Sequence, residues 1–271
     1  MSIENQESLL DVKEKFSTIN QLLNIIFRRL NDKSNLSVIY DKKIGIYCQI
    51  KNLLPCFDIL LSVTESGSVQ SYSTLLRMIA DNYSILFLLT CYNSKEEQEL
   101  RYYLYLLNAI KTRSDILKES ILEEKKESAP EIEKANKADE KAIEEIKNII
   151  SQKGFEKQIC VKVYDKKNWK FKNQLNNDNY SWLELYKIAK LSPSDANVIF
   201  NFYSSFVHGL GIQLMLKETD DTSNNIKYTL NIATIIQTFL IRIIFQVFNE
   251  QESRLSEYKE ALKYSTFYGW K

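Results

Sequence analysis

The one histidine of this 271-residue chain, His208, closes an aromatic-rich stretch, Asn201-Phe-Tyr-Ser-Ser-Phe-Val-His208-Gly209. Imidazole titrates near neutral pH, so it is the side chain best suited to passing protons in general acid–base chemistry. On a helix, Ser204 and Asn201 lie four and seven positions back and share its face, with Tyr203 and Ser205 flanking it. The rest of that helix is apolar (Val198, Ile199, Phe200, Phe202, Phe206, Val207), and polar groups buried among such residues are costly unless paired. Two readings fit: an acid–base group, or a core histidine bonded to a backbone carbonyl or to Ser204. A serine-hydrolase arrangement does not fit, because the strained nucleophile turn and the orienting acid are both missing.

A second constellation is Leu75-Leu-Arg77-Met-Ile-Ala-Asp81. An arginine in so apolar a helix needs a partner, and Asp81 is four residues on, the spacing of an intrahelical ion pair. Such a pair is either purely structural or a guanidinium preorganised to hold phosphate. A third is Lys153 to Lys172. Seven lysines there face only Glu156 and Asp165 and interleave with Phe155, Tyr164, Trp169 and Phe171. Lys162, Lys166, Lys167, Trp169 and Lys170 are the candidate contacts to single-stranded nucleic acid, against a solvated charged surface as the alternative.

Several classes are excluded or disfavoured. There is no phosphate-binding glycine loop, HExxH, EF-hand loop or dinucleotide fingerprint. The net charge of +1 offers no global attraction to nucleic acid or anionic membrane. Cys48, Cys56, Cys91 and Cys160 form no CxxC pair, and with a single histidine no zinc site or other cofactor is expected. The cysteines are expected reduced and mostly buried, which with a polar, acidic N-terminus points to the cytoplasm. The apolar run Ile232 to Phe248 carries Thr234, Gln237, Thr238, Arg242 and Gln246, so it reads as a buried helix and no membrane contact is expected.

The elements that must position these residues are helices. Only six glycines and three prolines punctuate the chain. Apolar residues recur every three or four positions from Leu9 to Leu30, giving a first helix over about 4–31. A second runs over about 36–64 with a kink at Pro55, and a third over about 69–92, following the Ser66-Gly67-Ser68 turn. Ser94 with Glu97 is a capping box for a fourth. From 119 to 153 glutamate and lysine dominate around a thin seam (Ile121, Leu122, Ile132, Ala135, Ala138, Ala142). This predicts a projecting charged helical hairpin, either solvated or an arm for dimerisation or a partner. Residues 154–179 read as an irregular basic and aromatic insert, with alternation at Ile159, Val161 and Val163 suggesting a short β or extended segment near 158–172. Ser192-Pro-Ser-Asp195 is a strong start for the helix carrying His208, with Gly209 or Gly211 ending it. Long apolar and terminal helices follow, over about 226–249 and 251–264. The expected architecture is an all-α antiparallel bundle of about eight or nine helices, a single domain over 1–271.

Leu75-Leu76-Arg77 with Asp81, followed about 120 residues later by Tyr203-Ser204-Ser205-Phe206-Val207-His208, resembles bacterial all-helical proteins of unassigned function. That group in turn resembles the HEPN superfamily, helical domains common in prokaryotic toxin and antiviral defence systems, many of them metal-independent ribonucleases. The resemblance spans about half the chain. It implies that His208 is the acid–base group or positions a ribose hydroxyl. By the same resemblance Arg77 holds the scissile phosphate, Asp81 orients Arg77, and Ser204 and Tyr203 supply hydrogen bonds. It also implies RNA as substrate and a homodimer as a plausible state. Catalytic HEPN domains carry an arginine ahead of the histidine on the same helix, where this chain has Tyr203, Phe202 and Asn201. The rival expectation is a non-catalytic helical interaction module: a sensor, an antitoxin-like partner or a scaffold. A third is a pocket for a nucleotide or other anionic small molecule read by Arg77 and His208.

Overall fold

Helix starts follow the local chemistry. The Ser8 hydroxyl accepts from the Asp11 N–H at 3.1 Å while the Asp11 carboxylate accepts from the Ser8 N–H at 2.9 Å, a capping box that opens α1 (Leu9–Arg28). Helix α2 (Lys42–Glu65) contains Pro55. The turn before α3 (Val69–Thr90) uses Gly67 at φ +71°, a left-handed conformation that glycine adopts without a Cβ clash. The Ser94 hydroxyl accepts from Glu97 N–H at 3.2 Å and starts α4 (Lys95–Glu123). Then come α5 (Ala129–Gln152), a 3-10 turn (Phe155–Lys157), α6 (Val161–Asp165), α7 (Trp182–Ile188) and α8 (Pro193–Asn197). A π-helix (Val198–Tyr203), α9 (Ser204–Val207) and α10 (Thr222–Phe248) complete the order. The computed structural model describes residues 8–30, 37–123, 129–207 and 222–248. The protein is all-α: among the described residues the one β feature is an isolated antiparallel bridge between Phe171 and Asn179.

Where the sequence suggests a single domain, the contacts group the chain into two compact units. The first comprises residues 1–36, 46–90 and 182–271, and the second 37–45 and 91–181. In the first, α10 packs against α1 and α3, and α3 also meets α7, the π-helix and α9. Phe16 and Leu23 of α1, Leu76 and Tyr83 of α3, and Leu240 and Ile244 of α10 are fully buried in it. Two polar residues of α10 are answered within the helix: Thr234 and Thr238 donate to the Leu230 and Thr234 carbonyls at 2.7 and 2.9 Å. Two helices, Lys42–Glu65 and Ser223–Phe248, are long and apolar enough to cross a membrane by length and composition. The most apolar stretch of the second is 72% buried inside the protein, as a core helix is.

In the second unit α4 and α5 pack as a hairpin. Its seam differs from the expected one: Ala135 and Ala138 are exposed, while Asn136, Asp139, Ile143, Ile146 and Ile150 are buried. These keep the alternating three- and four-residue spacing of a helix seam, so the pattern is right but two of its members are polar. Both are paired, Ser114 donating to Asn136 Oδ1 at 2.8 Å and Arg113 Nε to Asp139 Oδ2 at 2.8 Å. The side chains of Ile121 and Leu122 lie outside the described residues. Gly45 allows close packing here, because a Cβ at that position would collide with the Tyr102 ring, whose hydroxyl donates to the Val38 carbonyl at 2.6 Å.

The segment after α5 corrects the β expectation near Ile159. Ile159 and Val163 are buried, at 6% and 0% exposure, and Val161 between them is 72% exposed. A strand would have put all three on one face; instead the chain turns at Cys160 into the short helix α6, Val161–Asp165. The four cysteines form no disulfide and are half-buried, where burial had been expected.

Candidate functional site

Helices α3 and α7, the π-helix and α9 make the first site, all in the first unit. Asp195 accepts from the Ser192-capped backbone's partner hydroxyl, Ser192 Oγ, at 2.7 Å, and from the Tyr228 hydroxyl at 2.7 Å, which ties the start of α8 to α10. The helix then widens into the π-helix, with Ser204 Oγ donating to the Ile199 carbonyl five residues back at 3.3 Å. Wide turns of this kind are often found at functional sites, since they turn a carbonyl away from the regular helical ladder. The Ile199 carbonyl also accepts from Arg77 Nη1 at 3.4 Å.

Arg77, on α3, is the centre of the cluster. Its Nε donates to Asp81 Oδ1 at 3.0 Å, and Nη1 donates to the Ser204 hydroxyl. The Tyr186 hydroxyl of α7 donates to the same Asp81 oxygen. The guanidinium carbon stands 5.3 Å from the Tyr186 ring centre and 5.9 Å from that of Phe200, within cation–π reach of both. The Arg77 side chain keeps 12% of its surface exposed, and Nη2 makes no hydrogen bond among the described residues. Burial, reinforced by the Asp81 carboxylate it donates to, pushes the Tyr186 phenol far above its ordinary range, so it remains a donor.

Of the residues singled out by sequence, Arg77, Asp81 and Ser204 come together. Tyr203 does not join them: it is buried, shares a hydrogen bond of 2.8 Å with Thr229 of α10, and its phenol is raised above its ordinary range chiefly by burial. Asn201 is exposed, and Ser205 donates to the Phe202 carbonyl of its own helix at 2.6 Å. The π-register accounts for this division, because adding a residue to the turn rotates the faces that a regular 3.6-residue helix would align. His208, Gly209, Gly211 and the terminal helix expected at 251–264 lie outside the described residues.

The basic insert belongs to the second unit. Lys162 and Lys166 are exposed, and Lys167 adopts φ +50° and donates its Nζ to the Asp165 carbonyl at 2.9 Å. Trp169 is 8% exposed, its ring edge-on to Tyr105 at 5.3 Å, with Lys170 Nζ 5.7 Å from the indole. An indole packed in this way is not a platform on which a base can stack.

Beneath it lies a residue the sequence reading passed over. Arg101 of α4 is fully buried, its Nε and Nη2 donating to Glu97 at 2.9 and 2.6 Å. Nη1 donates to the Trp169 carbonyl at 2.8 Å and Nη2 to the Phe171 carbonyl at 2.9 Å, and the guanidinium lies 3.8 Å from the Phe171 ring centre. The signal was present, since Glu97 and Arg101 repeat the four-residue spacing of Arg77 and Asp81 on another apolar helix. Tyr186, Phe200 and the Ile199 carbonyl had no such signal, since each joins the Arg77 cluster through folding alone.

One family matches the chain, a family of unknown function (DUF5677), over residues 44–224, about two thirds of the length. No curated protein and no solved structure matches it.

Proposed function

We propose, for a chain that belongs to the DUF5677 family of unknown function, a HEPN-like role: a metal-independent ribonuclease of the kind found in bacterial antiviral defence and toxin systems, acting in the cytoplasm. The observation that carries this reading is the Arg77 guanidinium. It is held by Asp81 and Ser204, flanked by two aromatic rings, and its Nη2, unbonded among the described residues, is available to an anionic oxygen. A cation fixed before the substrate arrives loses little freedom on binding, which suits it to a phosphodiester. Ser204 precedes His208 by four residues in sequence. In this mechanism the ribose 2′-oxygen forms a bond to phosphorus as its proton passes to His208, and the P–O5′ bond breaks with the 5′-oxygen taking up a proton from water, which leaves a 2′,3′-cyclic phosphate and a 5′-hydroxyl, while Arg77 neutralises charge on the phosphoryl oxygens. Asp81 and Tyr186 are positioning residues that hold Arg77.

The experiment is an RNA cleavage and growth-inhibition assay comparing the parent with His208→Ala and Arg77→Ala, with melting temperatures measured in parallel. The proposal expects His208→Ala to abolish cleavage at an unchanged melting temperature. A parent that cuts no RNA and inhibits no growth sinks it.

A second reading, a non-catalytic interaction module, is favoured by a specific observation. The hydrogen bonds of Arg77 among the described residues are all to its own fold, as a structural pin between α3 and the π-helix would have. On that reading Arg77→Ala lowers the melting temperature and His208→Ala changes no activity.

A further inference from the structure

We propose that the turn Lys166–Lys170 in the second unit is a binding site for a nucleoside phosphate, separate from the Arg77 cluster and independent of the ribonuclease reading. A cavity of about 420 Å³ opens there, within the range of about 300–1,000 Å³ usual for small-ligand sites. Lys166, Lys167 and Lys170 line it, and no carboxylate does. Three lysines, with no carboxylate among the described lining residues, favour an anion. The remaining polar walls are asparagines, among them Asn108, Asn168 and Asn177. A side-chain amide offers a donor and an acceptor together, the pairing that reads a purine edge, so the chemistry favours a phosphate carried on a base-bearing body.

The turn is built and held before any ligand arrives. Arg101 fixes the Trp169 and Phe171 carbonyls from below. Lys172 N–H donates to the Asp178 carbonyl at 2.7 Å, and Tyr180 N–H to the Lys170 carbonyl at 2.9 Å. Asn168, only 7% exposed, donates to Asn177 at 3.3 Å across the cavity wall. Lys167 sits in a left-handed conformation, a strained arrangement that such fixed surroundings sustain. Lys166 is exposed and makes no side-chain hydrogen bond or ion pair among the described residues. It also lines a neighbouring cavity of about 700 Å³, together with Asp178. The buried indole of Trp169 argues against a nucleic-acid strand as the occupant, since strand binding depends on stacking platforms.

The test is calorimetric titration of the full chain with AMP, ATP, inorganic phosphate and an oligouridine strand, on the parent and on Lys166→Gln and Lys166→Glu. Saturable one-site binding of AMP or ATP is expected, tighter than that of inorganic phosphate. Losing one charge-assisted contact in Lys166→Gln should weaken it about 10- to 100-fold, with the charge-reversed variant weaker still. Both variants should melt with the parent, because the replaced side chain is exposed. The proposal is overturned if neither nucleotide binds saturably, if both variants bind as the parent does, or if inorganic phosphate binds as tightly as AMP. Binding of the strand alone, with affinity rising with its length, would replace it with a nucleic-acid surface.

Discussion

Arg77 and Ser204 stand 127 positions apart and share a hydrogen bond, Arg77 Nη1 donating to the serine hydroxyl. The bond joins the middle of α3 to the point where the π-helix returns to α-helix, and the Ile199 carbonyl accepts both side chains. One guanidinium therefore sets the geometry of the segment that leads to His208. Removing it tests both structure and function, and the two outcomes separate in the variants below.

Arg77→Ala should destabilise the protein by about 2–4 kcal/mol, because Asp81 loses its cation and Ser204 a partner in a largely buried setting. Arg77→Lys keeps a charge beside Asp81 but cannot reach Ser204 and Ile199 with a planar fork, so it should recover only part of the loss. Urea denaturation midpoints measure both. A parent-like midpoint for Arg77→Ala would remove the bridging role.

Arg101→Met should cost about 3–5 kcal/mol, since it leaves Glu97 without its cation and the Trp169 and Phe171 carbonyls without their donors. The loss should be local to the insert. Limited trypsin digestion is expected to cut first after Lys162, Lys166, Lys167 or Lys170 in the variant, whereas the parent resists there.

Two buried tyrosines should respond oppositely to loss of the hydroxyl. The Tyr72 hydroxyl is buried with no hydrogen-bond partner among the described residues, so Tyr72→Phe should be neutral or stabilising by up to about 1 kcal/mol. Tyr203→Phe strands Thr229 and should destabilise by about 1–2 kcal/mol. Thermal melts of the two variants side by side check the contrast.

Alkaline pH should move stability in two opposed steps. Burial lowers the Lys42 ammonium from its ordinary 10.5 to about 8, despite the nearby Glu99. Between those values the unfolded chain binds more protons than the folded one, so this group's contribution rises with pH through that window. Burial raises Tyr72 and Tyr228 from 10.0 to about 12. The unfolded chain then ionises first, and stability falls between those values. Lys42→Met should flatten the rise and leave the fall intact, as read from urea midpoints taken across the range.

The helices were legible because their determinants are local. Ser94 with Glu97 and Ser192 with Asp195 satisfy free N–H groups from within four residues, and the apolar spacing of α1 names its buried face, while the Ser8–Asp11 box came only with the structure. The Arg77–Asp81 pair was legible for the same reason. The hairpin seam was misread where Asn136 and Asp139 took places assigned to Ala135 and Ala138, because polar residues enter a core only when a partner helix supplies Ser114 and Arg113.

By itself, then, the sequence determined an all-α protein, two of its helix starts and one half-buried ion pair, all consequences of interactions within about a turn or two. The tertiary structure decided the partners: Ser204, Tyr186 and Ile199 around Arg77, and Trp169 and Phe171 around Arg101. It also decided that Tyr203 turns to Thr229, and that Trp169 packs inward rather than offering its face. These outcomes depend on which distant groups come within hydrogen-bonding reach once the core excludes water, and no spacing along the chain encodes that distance.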